Sequence, residues 1–161
     1  MKDLKELLNE SLVNEALKTK KIQIKHLSGK VLFEYECPDN TIKTTLETAV
    51  KSGINLTGAD LRRAKLEGAD LEGAELENAN MWRADLKRVN LANANLKDAD
   101  LRCADLKGAD LSYANLTFAN LQYVELKGAD LTGANLKSAD LRNTSLTGTD
   151  LKDADLTYAI R

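Results

Sequence analysis

Residues 56–76 read LTGADLRRAKLEGADLEGAEL, with leucine at 56, 61, 66, 71 and 76. The step of five continues outward: Met81 takes the next place, and leucine then returns at every fifth position through Leu156. Two residues before each of these stands a small side chain. It is mostly alanine (Ala59, Ala64, Ala69, Ala74), with Ile54, Val89, Val124, Thr144 and Thr149 as variants. Between the two lies mostly Asp or Asn.

A period of five suits neither regular element. A helix turns by about 100° per residue, so the leucines would spiral around it with no common face. A strand alternates its faces, and an odd step would throw successive leucines to opposite sides. The unit itself resolves the problem. The small residue and the leucine are two apart, so both can point the same way from a short extended segment. The other three positions are polar or Gly, the composition of a turn. Each unit is then a minimal strand with a corner. Repeated corners of one hand close a coil, and stacked coils bury one continuous core.

Ala59-Asp60-Leu61, Ala114-Asn115-Leu116 and Ala129-Asp130-Leu131 resemble the consensus A(D/N)LXX of the pentapeptide-repeat family. The resemblance runs over about residues 54–160 without an insertion. It implies an all-β solenoid, a right-handed quadrilateral β-helix with four units to a coil and about five coils. In that geometry, residues about twenty apart stack ~4.8 Å from one another. Leu61, Met81, Leu101, Leu121 and Leu141 form one inner ladder. The other three, which include Leu56, Leu106 and Leu156, are all leucine. A buried leucine is worth ~1.5–3 kcal/mol, so this repeated burial is the main stabilising term. Val89, Val124, Thr144 and Thr149 exceed alanine in size, and should swell the coil slightly or be absorbed by a local change of turn.

Upstream, Leu4, Leu8, Leu12 and Ala16 recur every four residues, with Leu7 and Leu17 widening the stripe, and predict a helix over about residues 1–19. A hairpin follows: Ile22, Ile24 and His26 alternate with polar residues, Ser28-Gly29 offers a tight turn, and Val31, Phe33 and Tyr35 alternate again. A second helix is expected from about Thr41 to Ser52, with Ile42, Leu46, Ala49 and Val50 on one face and Gly53 as its stop. Thr44 and Glu47 have capping-box spacing but fall late for that start. No Gly/Ser-rich or Pro-rich linker precedes the first repeat. A solenoid end exposes apolar core and unpaired edges. Residues 1–53 are therefore read as a small α/β N-terminal cap, with a separate binding module as the alternative, and residues 54–161 as the β-helix.

Several function classes are disfavoured. No apolar run approaches the ~18–20 residues of a membrane span. The opening Met1-Lys2-Asp3-Leu4-Lys5-Glu6 lacks the apolar core of a signal peptide. Cys37 and Cys103 have no CxxC spacing, which favours the cytoplasm. A lone His26 argues against a zinc site or a Ser/His/Asp triad. There is no Gly-rich phosphate loop and no nucleophile–base pairing, so neither catalysis nor a cofactor is expected. The Asp/Asn rows tempt a calcium assignment, but calcium-binding repeats need Gly-rich nonapeptide spacing, and no metal is expected. Alternation along Asp60, Asn80, Asp100, Asn120 and Asp140 instead relieves like-charge repulsion.

The outer columns vary more and should carry any partner-specific information. One stacks Arg62, Trp82, Arg102, Gln122 and Arg142 beside Arg63, Arg83, Cys103, Tyr123 and Asn143. Trp82 would lie between Arg62 and Arg102, suited to cation–π stacking. The same arginines could pair with Asp60, Asp100 and Asp140. Tyr113, Phe118 and Tyr123 hold equivalent corner positions of consecutive units and form an aromatic belt on one coil. Exposed Trp, Tyr and Arg are typical hot-spot residues, so Arg62, Trp82, Arg83, Arg102, Tyr113, Phe118 and Tyr123 make the candidate interaction face. The plainer alternative is a solvated surface with isolated aromatics.

The expected function is a non-catalytic scaffold for an unidentified protein partner. The resemblance implies an alternative, because some family members mimic duplex DNA and bind DNA gyrase, a type II topoisomerase. Residues 54–161 carry 17 acidic against 14 basic side chains. Duplex DNA ~25 Å long would carry ~15 negative charges. Gyrase-directed members also commonly carry a C-terminal dimerisation helix, and none is expected after Ile160-Arg161. Neither membrane nor direct nucleic-acid binding is expected. The last coil should expose apolar side chains and unpaired backbone, inviting a weak end-to-end homodimer. The competing possibility is that Tyr158, Ile160 and Arg161 fold across that end as a lid.

Overall fold

The computed structural model describes residues 19–161. The helix expected over residues 1–19 lies outside the described residues, apart from Thr19, which begins a strand. Strand β1 (Thr19–Lys25) pairs antiparallel with β2 (Val31–Pro38), Ile22 opposite Tyr35 and Ile24 opposite Phe33. The alternation buries Ile24 and leaves the lysines of β1 outside. The turn is wider than Ser28-Gly29 alone. Residues 27–29 span it, the His26 N–H donates to the Lys30 carbonyl at 2.8 Å, and the register shifts at Ile24/Lys25. Gly29 at φ 87° supplies the left-handed residue that three-residue hairpin loops use.

Helix α1 (Ile42–Lys51) starts because Thr41 is extended and its hydroxyl accepts from the Thr44 N–H at 3.1 Å. Gly53, at φ 66°, follows its C-cap Ser52. Leu46 and Ala49 are fully buried, with Ile42 and Val50 at the margin. Buried Asn40 ties hairpin to helix. Its Nδ2 donates to the carbonyls of Tyr35 and Lys20, and its Oδ1 accepts from the Thr45 hydroxyl.

From Asp60 onward the chain is a β-solenoid. In each unit the residue before the leucine forms a parallel bridge with the residue twenty further on: Asp60 with Asn80, Asn80 with Asp100, and so to Asp140 with Ile160. The expected strand therefore shrinks to a single bridging residue. The Asp or Asn before the leucine lies outside the turn. The turn is the pair of residues after the leucine, and the second of these lies at φ 53–69° in every unit from Gly58 to Tyr158. None of these corners is Val, Ile or Thr, because a β-branched side chain is a severe outlier there.

The inner positions are filled as expected. Leu56, Leu61, Met81, Leu101, Leu106 and Leu121 are at most 1% exposed. Val89 and Val124 are equally buried. Their N–H bonds to the preceding leucine carbonyl lengthen to 3.2 Å, against 2.9–3.1 Å for the alanines, so a slight local stretch absorbs them. The Thr149 N–H bond is the same 3.2 Å and that of Thr144 3.1 Å, but both threonines add a polar contact. Their hydroxyls donate one coil back, to the carbonyls of Leu121 at 2.6 Å and Leu126 at 2.8 Å.

The hairpin and α1 share one core with the first coil, Ile24, Leu46 and Ala49 joining Leu56 and Leu61. The backbone continues the contact. Asp60 N–H donates to the Lys25 carbonyl at 2.7 Å and Leu27 N–H to the Gly58 carbonyl at 2.9 Å. The His26 ring lies so close over Gly58 that a Cβ there would meet Nε2 at 2.3 Å. At the other end Leu146, Leu151 and Leu156 are only partly buried. Tyr158 and Ile160 are 78% and 51% exposed, so these two stand out from the last coil and do not close it as a lid. No helix of the described residues is long and apolar enough to cross a membrane.

Candidate functional site

The bridging residue shapes the outer face. An Asp or Asn just before the leucine aims its side-chain oxygen at the N–H two residues on, as Asn80 does toward Trp82 at 3.0 Å and Asp110 toward Ser112 at 2.9 Å. When the residue two places on is arginine, its side chain folds back onto the same carboxylate. Arg62 grips Asp60 with Nε at 2.7 Å and a terminal nitrogen at 2.6 Å. Arg102 holds Asp100 at 2.8 and 2.6 Å, and Arg142 holds Asp140 at 2.9 and 2.6 Å. These two-pronged bonds are the strong kind. They hold all three carboxyls below their ordinary range, against the opposing effect of burial. The effect is largest at Asp140, where Gln122 adds a bond at 2.6 Å.

With Arg62 and Arg102 engaged in this way, Trp82 has different cations from those its column predicts. Arg63 lies 5.0 Å and Arg83 4.6 Å from the centre of its ring. Both come from the neighbouring corner column. A recess beside the indole is lined by Asp60, Arg62, Arg63 and Trp82. Sequence reasoning included Arg83 in the face and left out Arg63. The missed signal was the Asp two residues before Arg62 and Arg102, which captures those side chains first.

Neutral alternation holds in the expected column, where Asn80 separates Asp60 from Asp100 and Asn120 separates Asp100 from Asp140, and two other columns add direct bonds. Asn90 Nδ2 donates to Asp70 at 3.0 Å and Asn95 Nδ2 to Glu75 at 3.1 Å. In the column of Asp60, the arginine forks answer the carboxylates as well.

The aromatic corners are exposed, Tyr113 at 65%, Phe118 at 55% and Tyr123 at 59%. They do not form one surface. Twenty residues close a turn of the chain, so corners five apart face different sides. Only Tyr123 shares the column of Arg63 and Arg83. Tyr113 lies over Gly133, where a Cβ would come within 2.6 Å of its ring. Among the described residues no group of three or more His, Cys, Asp or Glu side chains is arranged to hold a metal ion. What the arrangement offers chemically is donors, π-faces and charge, the means of recognition.

A family model for pentapeptide repeats matches the chain in 8 copies, over residues 54–91, 90–128, 99–137 and 134–160. Among solved structures, the chain is 40% identical to a pentapeptide repeat protein, Rfr23, from the cyanobacterium Cyanothece 51142. The match covers 57% of this chain and 63% of that one at a TM-score of 0.55. HetL from the cyanobacterium Nostoc sp. strain PCC 7120, involved in heterocyst differentiation regulation, is 35% identical over 67% of this chain and 66% of its own, at a TM-score of 0.30. QnrB1, a plasmid-mediated fluoroquinolone resistance protein, is 21% identical over 62% of this chain and 68% of its own, at a TM-score of 0.28. The chain thus spans less than two thirds of the length of the first two. No curated protein sequence matches it.

Proposed function

The chain belongs to the pentapeptide-repeat family, and from that premise we propose that it is a non-catalytic scaffold that holds a protein partner against its outer columns. The observation that carries this reading is where the aromatics stand. Tyr113, Phe118 and Tyr123 occupy left-handed corners at φ 57–60°, between Gly108 and Gly128, which adopt the same conformation without penalty. For a residue with a Cβ that conformation costs about 1–2 kcal/mol. Rings left more than half exposed recover little of this by burial. Corners such as Arg88 and Ser138 carry the same strain; what sets these three apart is a large aromatic ring left exposed, the side-chain type that dominates interface energetics.

In finer terms, the solenoid is a right-handed quadrilateral β-helix of about five coils. Residues 54–161 form its repeat domain, and residues 19–53, the described part of the 1–53 region read as a cap, cover its first coil. The bonds from Lys25 and Leu27 to the first coil support the cap. The free thiols of Cys37 and Cys103 favour a cytoplasmic setting. The partly covered Leu146, Leu151 and Leu156 support a weak end-to-end homodimer, which sedimentation velocity over a wide concentration range checks.

A photo-cross-linking residue placed in living cells at position 113, 118 or 123, with position 147 as control, tests the scaffold. Discrete protein adducts from the aromatic corners and none from the control support it, and no adduct from any position removes it. A second reading, a DNA mimic that binds a type II topoisomerase, is favoured by the ladder Asp110, Asp130 and Asp150, in which no neutral residue intervenes. Supercoiling assays with and without a quinolone decide between them. The scaffold predicts neither inhibition nor protection, and activity at low micromolar protein promotes the mimic.

A further inference from the structure

We propose that the arginine face binds an acidic protein segment, and that Arg63 and Arg83, stacked on Trp82, are the pair that grips its carboxylates. This rests on the scaffold reading above and names the chemistry of the partner.

The face carries arginines in two states. Arg62, Arg102 and Arg142 have closed their forks on carboxylates of their own chain. Arg63 and Arg83 are exposed, and among the described residues neither is paired with a carboxylate. They rest over the indole instead, at 5.0 and 4.6 Å. A guanidinium lying over a ring keeps its N–H donors in its own plane, pointing past the ring edge. Stacking also restricts a long side chain before any partner arrives, which lowers the entropy cost of binding. The pair is therefore a carboxylate receptor already held in shape.

Spacing and field agree with this. Arg63 and Arg83 stand one coil apart, ~4.8 Å along the stack. Two carboxylates two residues apart on an extended segment lie ~6.6 Å from each other at their roots, within reach of both forks. The recess lined by Asp60, Arg62, Arg63 and Trp82 can seat a further side chain of that segment. The bridging, turn and corner positions of this face hold five arginines against three aspartates. The opposite face holds Asp70, Glu72, Asp110, Asp130, Asp150 and Asp153 against Lys152. An acidic partner is attracted to one side of the rod and repelled by the other, which orients it on approach. A nucleic acid fits less well. Every nucleotide carries a charge, one per ~1.7 Å of duplex axis, so none can be left out opposite Asp60, Asp100 and Asp140, whereas a peptide can place neutral residues there.

Fluorescence anisotropy with the full chain tests the assignment. The probes are a labelled peptide of about ten alternating Glu and Ser residues, its Lys/Ser counterpart and a short DNA duplex. The Glu/Ser peptide is expected to bind in a salt-sensitive way, and both other probes more weakly. Arg63→Gln with Arg83→Gln should weaken it about tenfold, the scale of charge-assisted bonds. Trp82→Leu removes no charge, yet should weaken it about threefold by freeing the guanidiniums. Circular dichroism establishes that each variant is folded. Absent binding, equal binding by wild type and the double variant, or tighter binding of DNA or the Lys/Ser peptide overturns the inference. If it fails while cross-linking from the aromatic corners still yields adducts, the scaffold stands and only the acidic partner is withdrawn. If both fail, both are withdrawn.

Discussion

The first and last coils are built from the same five-residue unit, yet they end in opposite conditions. Leu56 and Leu61 are at most 1% exposed and share one core with Ile24, Leu46 and Ala49 of the hairpin and α1. Leu151 and Leu156 repeat the same letters and are only partly buried, with Tyr158 and Ile160 turned outward. The repeat dictates where a leucine points. It does not dictate whether that leucine is covered, which depends on the layer beyond. Stability in a solenoid is thus a sum over neighbours, and a terminal coil has half as many.

The sharpest way to break this comparison is to place a charge in each region. Leu106→Asp, in the middle, should leave the chain unfolded or aggregated, because an unpaired carboxylate would enter a fully enclosed core. Leu156→Asp should only fray the last coil and leave a folded circular-dichroism spectrum. Equal damage from both would mean that the ends are not energetically distinct.

Truncation grades the difference. Leu96→Ala should cost about 2–5 kcal/mol in urea unfolding, and Leu151→Ala less than half of that, since part of its surface is already wet. At the covered end Thr41→Ala removes the hydroxyl that caps α1 and should cost about 1 kcal/mol. A loss below about 0.3 kcal/mol would show that the Thr41 hydroxyl does not hold the start of α1.

Smaller effects belong to the outer face. The carboxyls of Asp60, Asp100 and Asp140 have folded-state pKa values below their unfolded ones. Their contribution is therefore fully present above about pH 4, the unfolded value, and is lost as pH falls from there through the folded values. Arg102→Gln should lower the urea midpoint slightly at pH 7, and the gap from wild type should narrow at pH 3. A gap that ignores pH would show that the fork does not stabilise the fold. Lys107→Asp should change stability least, within about 0.5 kcal/mol, since Lys107 is exposed and its contacts to Asp105 and Glu125 are long, at 3.4 and 3.9 Å.

The inner ladders were legible in the sequence because one apolar side chain every fifth residue needs no knowledge of its partners. The hairpin and α1 were legible for the same reason, since each shows its own period. The turn was drawn one residue too wide because Asp and Asn have turn composition, while here the Asp or Asn before the leucine bridges coils and bonds forward to a turn that starts two residues later. The absence of Val, Ile and Thr at the corners marks the second residue of that turn. Trp82 was assigned its own column as neighbours, but arginines are long enough to reach across columns, and Asp60 and Asp100 had already taken Arg62 and Arg102. The aromatic belt was read correctly as a set of corners. That it faces several directions follows from the coil's geometry, which residue identities alone do not convey. Asn40 left no pattern at all, being a single polar residue whose three bonds appear only once hairpin and helix are folded together.

The bridges that join residues twenty apart also determine how the rod answers a pull. Each coil is tied by bridges only to the one before and the one after. Tension between the two ends would therefore peel the molecule in parcels of one coil, each releasing about 70 Å of slack at ~3.5 Å per residue. The first parcel comes from beyond Leu141, where the leucines are only partly buried. The last comes from where His26 over Gly58, the Lys43 ammonium donating to the Glu67 carbonyl and the backbone bonds of Lys25 and Leu27 lock the opening coil to hairpin and helix. A force–extension trace should be an even staircase with its tallest riser at the end, making the chain a spring with counted turns.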